Sequence, residues 1–183
     1  MKTTSKIYTI GHSDRSIEVF LSLLQKYGIN ILVDLRAYPY SSRFPYFSQN
    51  SLREQVTNAR IKYHWAGKQL GGMRKPVNPD SHPALSSESF RGFAEYMETL
   101  DFQRAALQLK NLASQSPTVI MCAEKQPFGC HRSLISDYLI VKNVSVEHII
   151  DETSTVIHSL NEFARTNSSS LVYDRNTSGS LFD

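Results

Sequence analysis

Short, apolar, β-rich runs alternate with helical segments along this chain, and that alternation leaves few folds open. The runs are Lys6 to Ile10, Asn30 to Leu35, Ile61 to Ala66, the stretch from Thr118, and Val146 to Ile150. Asn30 to Leu35 is almost wholly apolar until Asp34, which suits a strand covered on both faces. Ser16 to Tyr27 sets Ile17, Phe20, Leu23, Leu24 and Tyr27 on one helical face, and Gly28 is its stop. Further helices are expected over Ser51 to Arg60 with Ser51 as cap, over Ser89 to Ser114 with a break near Asp101, over Ser133 to Val141, and over Thr153 to Arg165.

Strands alternating with helices predict a parallel sheet with right-handed crossovers. The expected fold is therefore α/β: a single three-layer sandwich on a mainly parallel sheet of about five strands, Rossmann-like or flavodoxin-like. Five strands are too few for a closed eight-stranded barrel. Residues 1–165 form one domain in this reading. Ser and Asn dominate from Thr166, so 166–183 read as a disordered tail.

Composition narrows the function classes. Twenty basic against 17 acidic residues give a net charge of +3, which permits an anionic substrate without demanding one. No secretory signal follows Met1 to Lys6, and no apolar run approaches the length of a membrane span, so a cytoplasmic location and no membrane partner are expected. In that compartment the two cysteines are expected to be free, reactive or metal-bound, although their spacing leaves a bridge across one turn sterically open.

Both cysteines lie in Cys122-Ala-Glu-Lys-Gln-Pro-Phe-Gly-Cys-His-Arg132, between the fourth strand and the Ser133 helix. Such turns sit at the carboxyl ends of parallel strands, where ligands bind. His12 and Ser13 follow the first strand, and Asp34 and Arg36 close the second. Three polar groups are thereby placed on one edge of the sheet, as a composite site requires.

Thr9-Ile-Gly-His-Ser13, Leu32-Val-Asp-Leu-Arg36, Leu70-Gly-Gly72, Cys122-Ala-Glu124 and Cys130-His-Arg132 together resemble the domain-of-unknown-function 488 family of bacteria and archaea, over about residues 6–150. The resemblance implies a compact cytosolic α/β domain and no established reaction, so function is argued from the site.

At the start of the Ser133 helix, unpaired N–H groups and the helix dipole favour an anion. Arg132 adds a planar charged fork, and a thiol beside it has a depressed pKa. Cysteine phosphatases and some sulfurtransferases use this order of parts, with five residues between nucleophile and arginine. Nine separate Cys122 from Arg132 here and one separates Cys130 from it, so the likeness is one of parts.

The leading expectation is an enzyme, a thiol- or acid/base-dependent transferase or hydrolase, acting on a phosphate-bearing substrate such as a nucleotide or nucleic acid. Cys122 or Cys130 would be the nucleophile or redox thiol, His12 or His131 the proton carrier, and Asp34 and Glu124 the orienting carboxylates. Substrate contacts are expected from Arg132, His131, Ser13, Arg36, Arg43, Tyr40, Gly71 and Gly72. The loop 36–50 carries Tyr38, Tyr40, Phe44, Tyr46 and Phe47, suited to base stacking or to capping the sheet edge. The loop 67–87 adds Lys68, Arg74 and Lys75, and His64 and Trp65 end the third strand towards the same cleft.

Structural alternatives stand beside these roles. Cys122 also reads as a small apolar residue, Arg132 as a partner of Asp34 or Glu124, His12 as bonded only to a neighbouring loop, and Asp34-Leu-Arg36 as an ion-pair staple. A second chemical reading is a metal held by Cys122, Glu124, Cys130 and His131, with His12 as a further ligand, although adjacent Cys130 and His131 make joint ligation awkward. A third is a noncatalytic nucleic-acid-associated module. Leu181 and Phe182 loosely resemble the ending of sliding-clamp docking peptides.

Overall fold

The structure, a computed structural model, describes residues 5–167 and 170–175. Leu181 and Phe182 lie outside the described residues. The chain runs β1 (Lys6–Gly11), α1 (Ile17–Lys26), β2 (Ile31–Asp34), α2 (Gln49–Asn58), β3 (Lys62–Trp65), α3 (Gly67–Leu70), α4 (Glu88–Tyr96), α5 (Leu100–Gln115), β4 (Thr118–Cys122), α6 (Arg132–Val141), β5 (Ser145–Ile149), β6 (Thr155–Ile157), β7 (Ala164–Asn167) and β8 (Ser170–Tyr173). Short 3-10 turns at Pro45–Phe47 and Pro127–Gly129 interrupt two loops.

Six strands form one sheet in the order β3-β2-β4-β1-β5-β6, parallel except for β6. This is a three-layer α/β sandwich. Within that class, β4 stands between β1 and β2, an order different from both 3-2-1-4-5-6 and 2-1-3-4-5. Phe20, Leu23 and Leu24 of α1 and Leu52 and Val56 of α2 pack on Ile10, Leu32, Val119 and Met121. The other face carries α4, α5 and α6, with Phe93, Phe102, Leu109, Leu134 and Ile135 against Ile7, Val33, Ile120 and Val146.

Local chemistry sets the boundaries. Ser16 caps α1 by accepting from Val19 N–H, and Gly28 leaves it with a φ of 64°. Thr99 accepts from Phe102 N–H and starts α5 afresh, which divides the expected long helix two residues before Asp101. The second helix starts at Gln49, because the turn Pro45–Phe47 runs straight into it, and Ser51 lies inside its first turn. Four residues of the 67–87 loop close into α3.

The last expected helix is absent. Thr155-Val156-Ile157, all β-branched, pairs antiparallel with β5 instead. The segment read as a disordered tail begins with a hairpin, β7 with β8, whose Leu171 and Tyr173 are buried. Among the described residues no helix is long and apolar enough to cross a membrane.

The topology also locates a site. From β1 the chain crosses to β2 on one side, and from β4 it crosses through α6 to β5 on the other. Adjacent strands whose connections leave in opposite directions open a crevice at their carboxyl ends.

Candidate functional site

The register of β1 and β4 sets Gly11 opposite Cys122. Pairing continues past the strands: His12 N–H donates to Cys122 O (3.0 Å) and Ser13 N–H to Ala123 O (2.8 Å). A Cβ at Gly11 would stand 1.8 Å from Glu124 O, so only glycine lets the loop after β4 fold across the end of β1. The turn Pro127–Gly129 then brings the chain back, and Cys130 N–H donates to Pro127 O (3.0 Å).

Cys122, Cys130 and His131 meet at this place. Their Sγ and imidazole nitrogen atoms all lie within 4.8 Å of one another. His131 Nδ1 is 3.7 Å from Cys130 Sγ and 3.9 Å from Cys122 Sγ. His131 Nε2 is 2.9 Å from the carbonyl of Leu70, which can only accept. Nε2 therefore carries the proton, and Nδ1 presents its lone pair to both thiols. The ring is clamped by the edge of Phe93 and by Gly72, where a Cβ would stand 2.5 Å from His131 Cγ and Nδ1. Both thiols are free and buried. Cys130 is pulled down by its hydrogen bond with Cys122 and by His131 and Arg132, while Cys122 is pushed up by its hydrogen bond with Cys130 and by burial.

The cluster floors a cavity of about 760 Å³. Of the residues expected from sequence, His12, Arg36, Tyr40, Gly72, Cys122, Glu124, Cys130 and His131 line it. Tyr38 and Tyr40 stand on its rim 76% and 77% exposed, beside Phe90, Arg74 and Lys75. The aromatic loop thus divides: Phe47 is core, while Tyr38 and Tyr40 face the cavity.

Other expected residues sit elsewhere. Arg132, taken as the anion fork, is 1% exposed and donates through Nη2 to Glu124 O (2.5 Å) and Lys125 O (3.3 Å). It fastens the loop because these carbonyls turn inward and need a donor. Ser13 Oγ donates to Asp14, and Arg43 lies over the Phe44 ring. Gly71 is a packing glycine: a Cβ there would stand 2.3 Å from Gly67 O and 2.9 Å from Ala37 Cβ. Glu124 lines the cavity, but its side chain is exposed and outside the Cys/His cluster. His64 and Trp65 line a separate cavity of about 610 Å³ with Leu70 and Gln69.

Asp34-Leu-Arg36 is a buried staple. Asp34 accepts from Arg36 Nε (2.9 Å) and Nη2 (2.6 Å) and from the Tyr63 hydroxyl (2.8 Å). Arg36 Nη1 also lies 3.4 Å from His12 Nε2. His12 stacks on Phe47, and burial, then Arg36, lower its pKa to about 4, so it is a neutral imidazole at pH 7. Burial and the neighbouring carboxylate hold the Tyr63 phenol well above its ordinary value. Tyr63→Phe removes one donor from a buried carboxylate and is expected to cost about 1.5–3 kcal/mol. Urea unfolding checks this; a loss under about 0.5 kcal/mol would mean that Asp34 does not depend on the phenol.

A second polar cluster was not anticipated. Thr9, His148, His158, Asp137 and Tyr173 join by hydrogen bonds of 2.7–2.9 Å under the α6 face. The one local signal was His148, a polar residue within the apolar fifth run.

A family model described as "Domain of unknown function DUF488" matches residues 16–139, from the start of α1 to the body of α6. No curated protein and no solved structure matches. The matched span holds Asp34, Arg36, Gly71, Gly72 and the whole Cys122 to Arg132 turn, and begins just after His12.

Proposed function

The chain belongs to the DUF488 domain family, and from that premise we propose that it is an enzyme, a transferase or hydrolase, acting on an anionic, nucleotide-like substrate in the β1/β4 cavity. One observation carries the reading: Cys122, Cys130 and His131, drawn from a strand end and a helix start, bring their reactive atoms together at the floor of a cavity that His12 also lines. Structural cysteines seldom converge on an imidazole at the floor of a cleft.

The walls support a substrate with a planar part and an acidic part. Tyr38, Tyr40 and Phe90 offer ring faces, and Arg74 and Lys75 offer positive charge on the same rim. Arg36 is answered by Asp34, and Arg74 lies 3.3 Å over the Tyr96 ring, so Lys75, which is exposed, is the cation freest to meet a phosphate. Lys75, which lines the cavity, supports the anion better than Arg132, which does not.

Thermal unfolding with added adenosine monophosphate, inorganic phosphate or adenosine tests this. The nucleotide is expected to raise the melting temperature most, by mass action, reaching about 2.7 kcal/mol of stabilisation at about 100-fold excess over its Kd. Lys75→Ala is expected to reduce the shift while leaving the unliganded melting temperature in place. No shift with any of the three ligands would remove the substrate class.

A further inference from the structure

We propose that Cys122, Cys130 and His131 form a three-ligand centre for a divalent zinc-class cation, with one coordination position open to the cavity. This deepens the proposed function and rests on the same pocket.

The two sulfur–nitrogen separations match those such an ion requires, and the sulfur–sulfur edge lies close enough to reach it. Zinc bonds of about 2.3 Å to sulfur and about 2.0–2.1 Å to nitrogen, at tetrahedral angles, put sulfur and nitrogen about 3.6 Å apart and two sulfurs about 3.8 Å apart. The two observed Sγ–Nδ1 separations are 3.7 and 3.9 Å, and the third edge lies within the 4.8 Å envelope. The adjacency of Cys130 and His131 is therefore no obstacle. His131 opens α6 at its N-cap with φ −57°, and its ring turns back over the Cys130 side chain.

Second, the imidazole is held as a ligand must be held. Metal-binding histidines generally donate their other N–H to a carbonyl or carboxylate, which fixes tautomer and ring orientation. The Leu70 carbonyl does this, in the segment that also supplies Gly72 against the ring. The Leu70-Gly-Gly72 stretch thus gains a purpose that backbone conformation alone does not give it: Gly72 leaves room for the ring, and Leu70 aims it.

Charge and burial also agree. Zn²⁺ with two thiolates and a neutral imidazole carries no net charge, which suits donors between 4% and 9% exposed. Binding releases to solvent whichever protons the thiols still carry, so two thiolates and one divalent cation give a neutral centre. Two sulfurs and one nitrogen select zinc over the oxygen-seeking Mg²⁺ and Ca²⁺. Three protein donors leave a four-coordinate ion one place for water or a substrate atom, and all three donors line the cavity.

The test uses the full chain, purified in reducing buffer without chelator. Elemental analysis is expected to find about one zinc per chain. After stripping, titration with Co²⁺ should give intense tetrahedral visible bands together with a thiolate-to-cobalt charge-transfer band. Cys122→Ser and Cys130→Ser should each weaken the charge-transfer band, and Glu124→Gln should leave it intact. Gly72→Ala, which displaces the His131 ring without removing a donor atom, is expected to weaken cobalt binding about 10–100-fold. Circular dichroism of each variant checks folding, and the wild-type spectrum decides thiolate ligation even if a variant misfolds. Zinc-free protein whose cobalt spectrum lacks thiolate bands would overturn the centre. That failure is distinct from failure of the proposed function: a nucleotide shift without thiolate bands keeps the pocket and loses the metal, and the converse keeps the metal and loses the substrate.

Discussion

Asp137→Ala is expected to remove about 3–5 kcal/mol of stability, the loss found when one member of a buried charged network is deleted. Asp137 is 1% exposed on α6 and accepts from His158 Nε2 (2.9 Å), Asn161 N–H (3.0 Å) and the Tyr173 hydroxyl (2.8 Å). Alanine would strand the His158 and Tyr173 donors in the interior, where each unsatisfied group costs about 1–3 kcal/mol, and leave the half-buried Asn161 N–H without its acceptor. It would also release the hairpin, since Tyr173 of β8 reaches the core through this carboxylate. Asp137→Asn keeps one acceptor oxygen and is expected to lose roughly half as much. A domain of this size is stable by about 5–15 kcal/mol, so the alanine variant should show a visibly lower urea midpoint at unchanged slope. A loss under about 1 kcal/mol would mean that the hairpin stands without the network.

That network marks the limit of what the sequence discloses. The apolar runs showed the strands because burial on both faces needs apolar side chains throughout, and Ser16 and Gly28 marked the ends of α1 because capping and a positive φ are local requirements. The Cys122 to Arg132 turn was legible for the same reason: strand, loop and helix follow one another in the chain. Tyr173 is a different case. Its partner lies 36 positions away, and the Ser- and Asn-rich segment around it looks disordered until the buried carboxylate is known to need a donor. Ser and Asn report solvation, and they do not report one tyrosine that anchors the rest.

Arg132 shows a related limit. A charged residue at a helix start reads as an anion site, and near the sheet edge it reads as half of an ion pair. Neither reading considers the loop's own carbonyls. Once the 3-10 turn Pro127–Gly129 folds the loop inward, Glu124 O and Lys125 O need a donor, and Arg132 Nη2 supplies it. Leu70 and Gly72 illustrate the opposite case. Their motif was visible as a glycine pair, but its purpose depended on a ring 59 positions further on, at His131.

Mild acid should destabilise this protein steeply, by about 3–4 kcal/mol between pH 7 and pH 5, through His148 and His12. Burial, then His158 and Arg132, lower the pKa of His148 to about 3; burial, then Arg36, lower that of His12 to about 4. Both folded values lie below the ordinary value of 6.5, so the folded state binds fewer protons than the unfolded one throughout this window. The stability held by each neutral ring is therefore complete above about pH 6.5 and is lost as pH falls towards its folded pKa. Each histidine contributes about 2 kcal/mol of the loss by pH 5, a range in which ordinary carboxylates are still largely ionised. For His148 the hydrogen bonds also favour the neutral ring. Asp137 accepts, so His158 donates through Nε2; when its ring is neutral, its Nδ1 accepts from His148 Nε2, and His148 Nδ1 then accepts from the Thr9 hydroxyl. A proton on Nδ1 would turn the Thr9 hydroxyl round and put a charge into a site 1% exposed. Urea unfolding at pH 7 and pH 5, in chelator so that release of a bound cation does not enter, reads the effect. His148→Gln keeps one donor and one acceptor without titrating, and should lose about half as much over the same interval. A wild-type stability that is flat from pH 7 to pH 5 would show that both rings take up protons without penalty, and the buried chain from Thr9 to Asp137 would then have to rearrange on protonation.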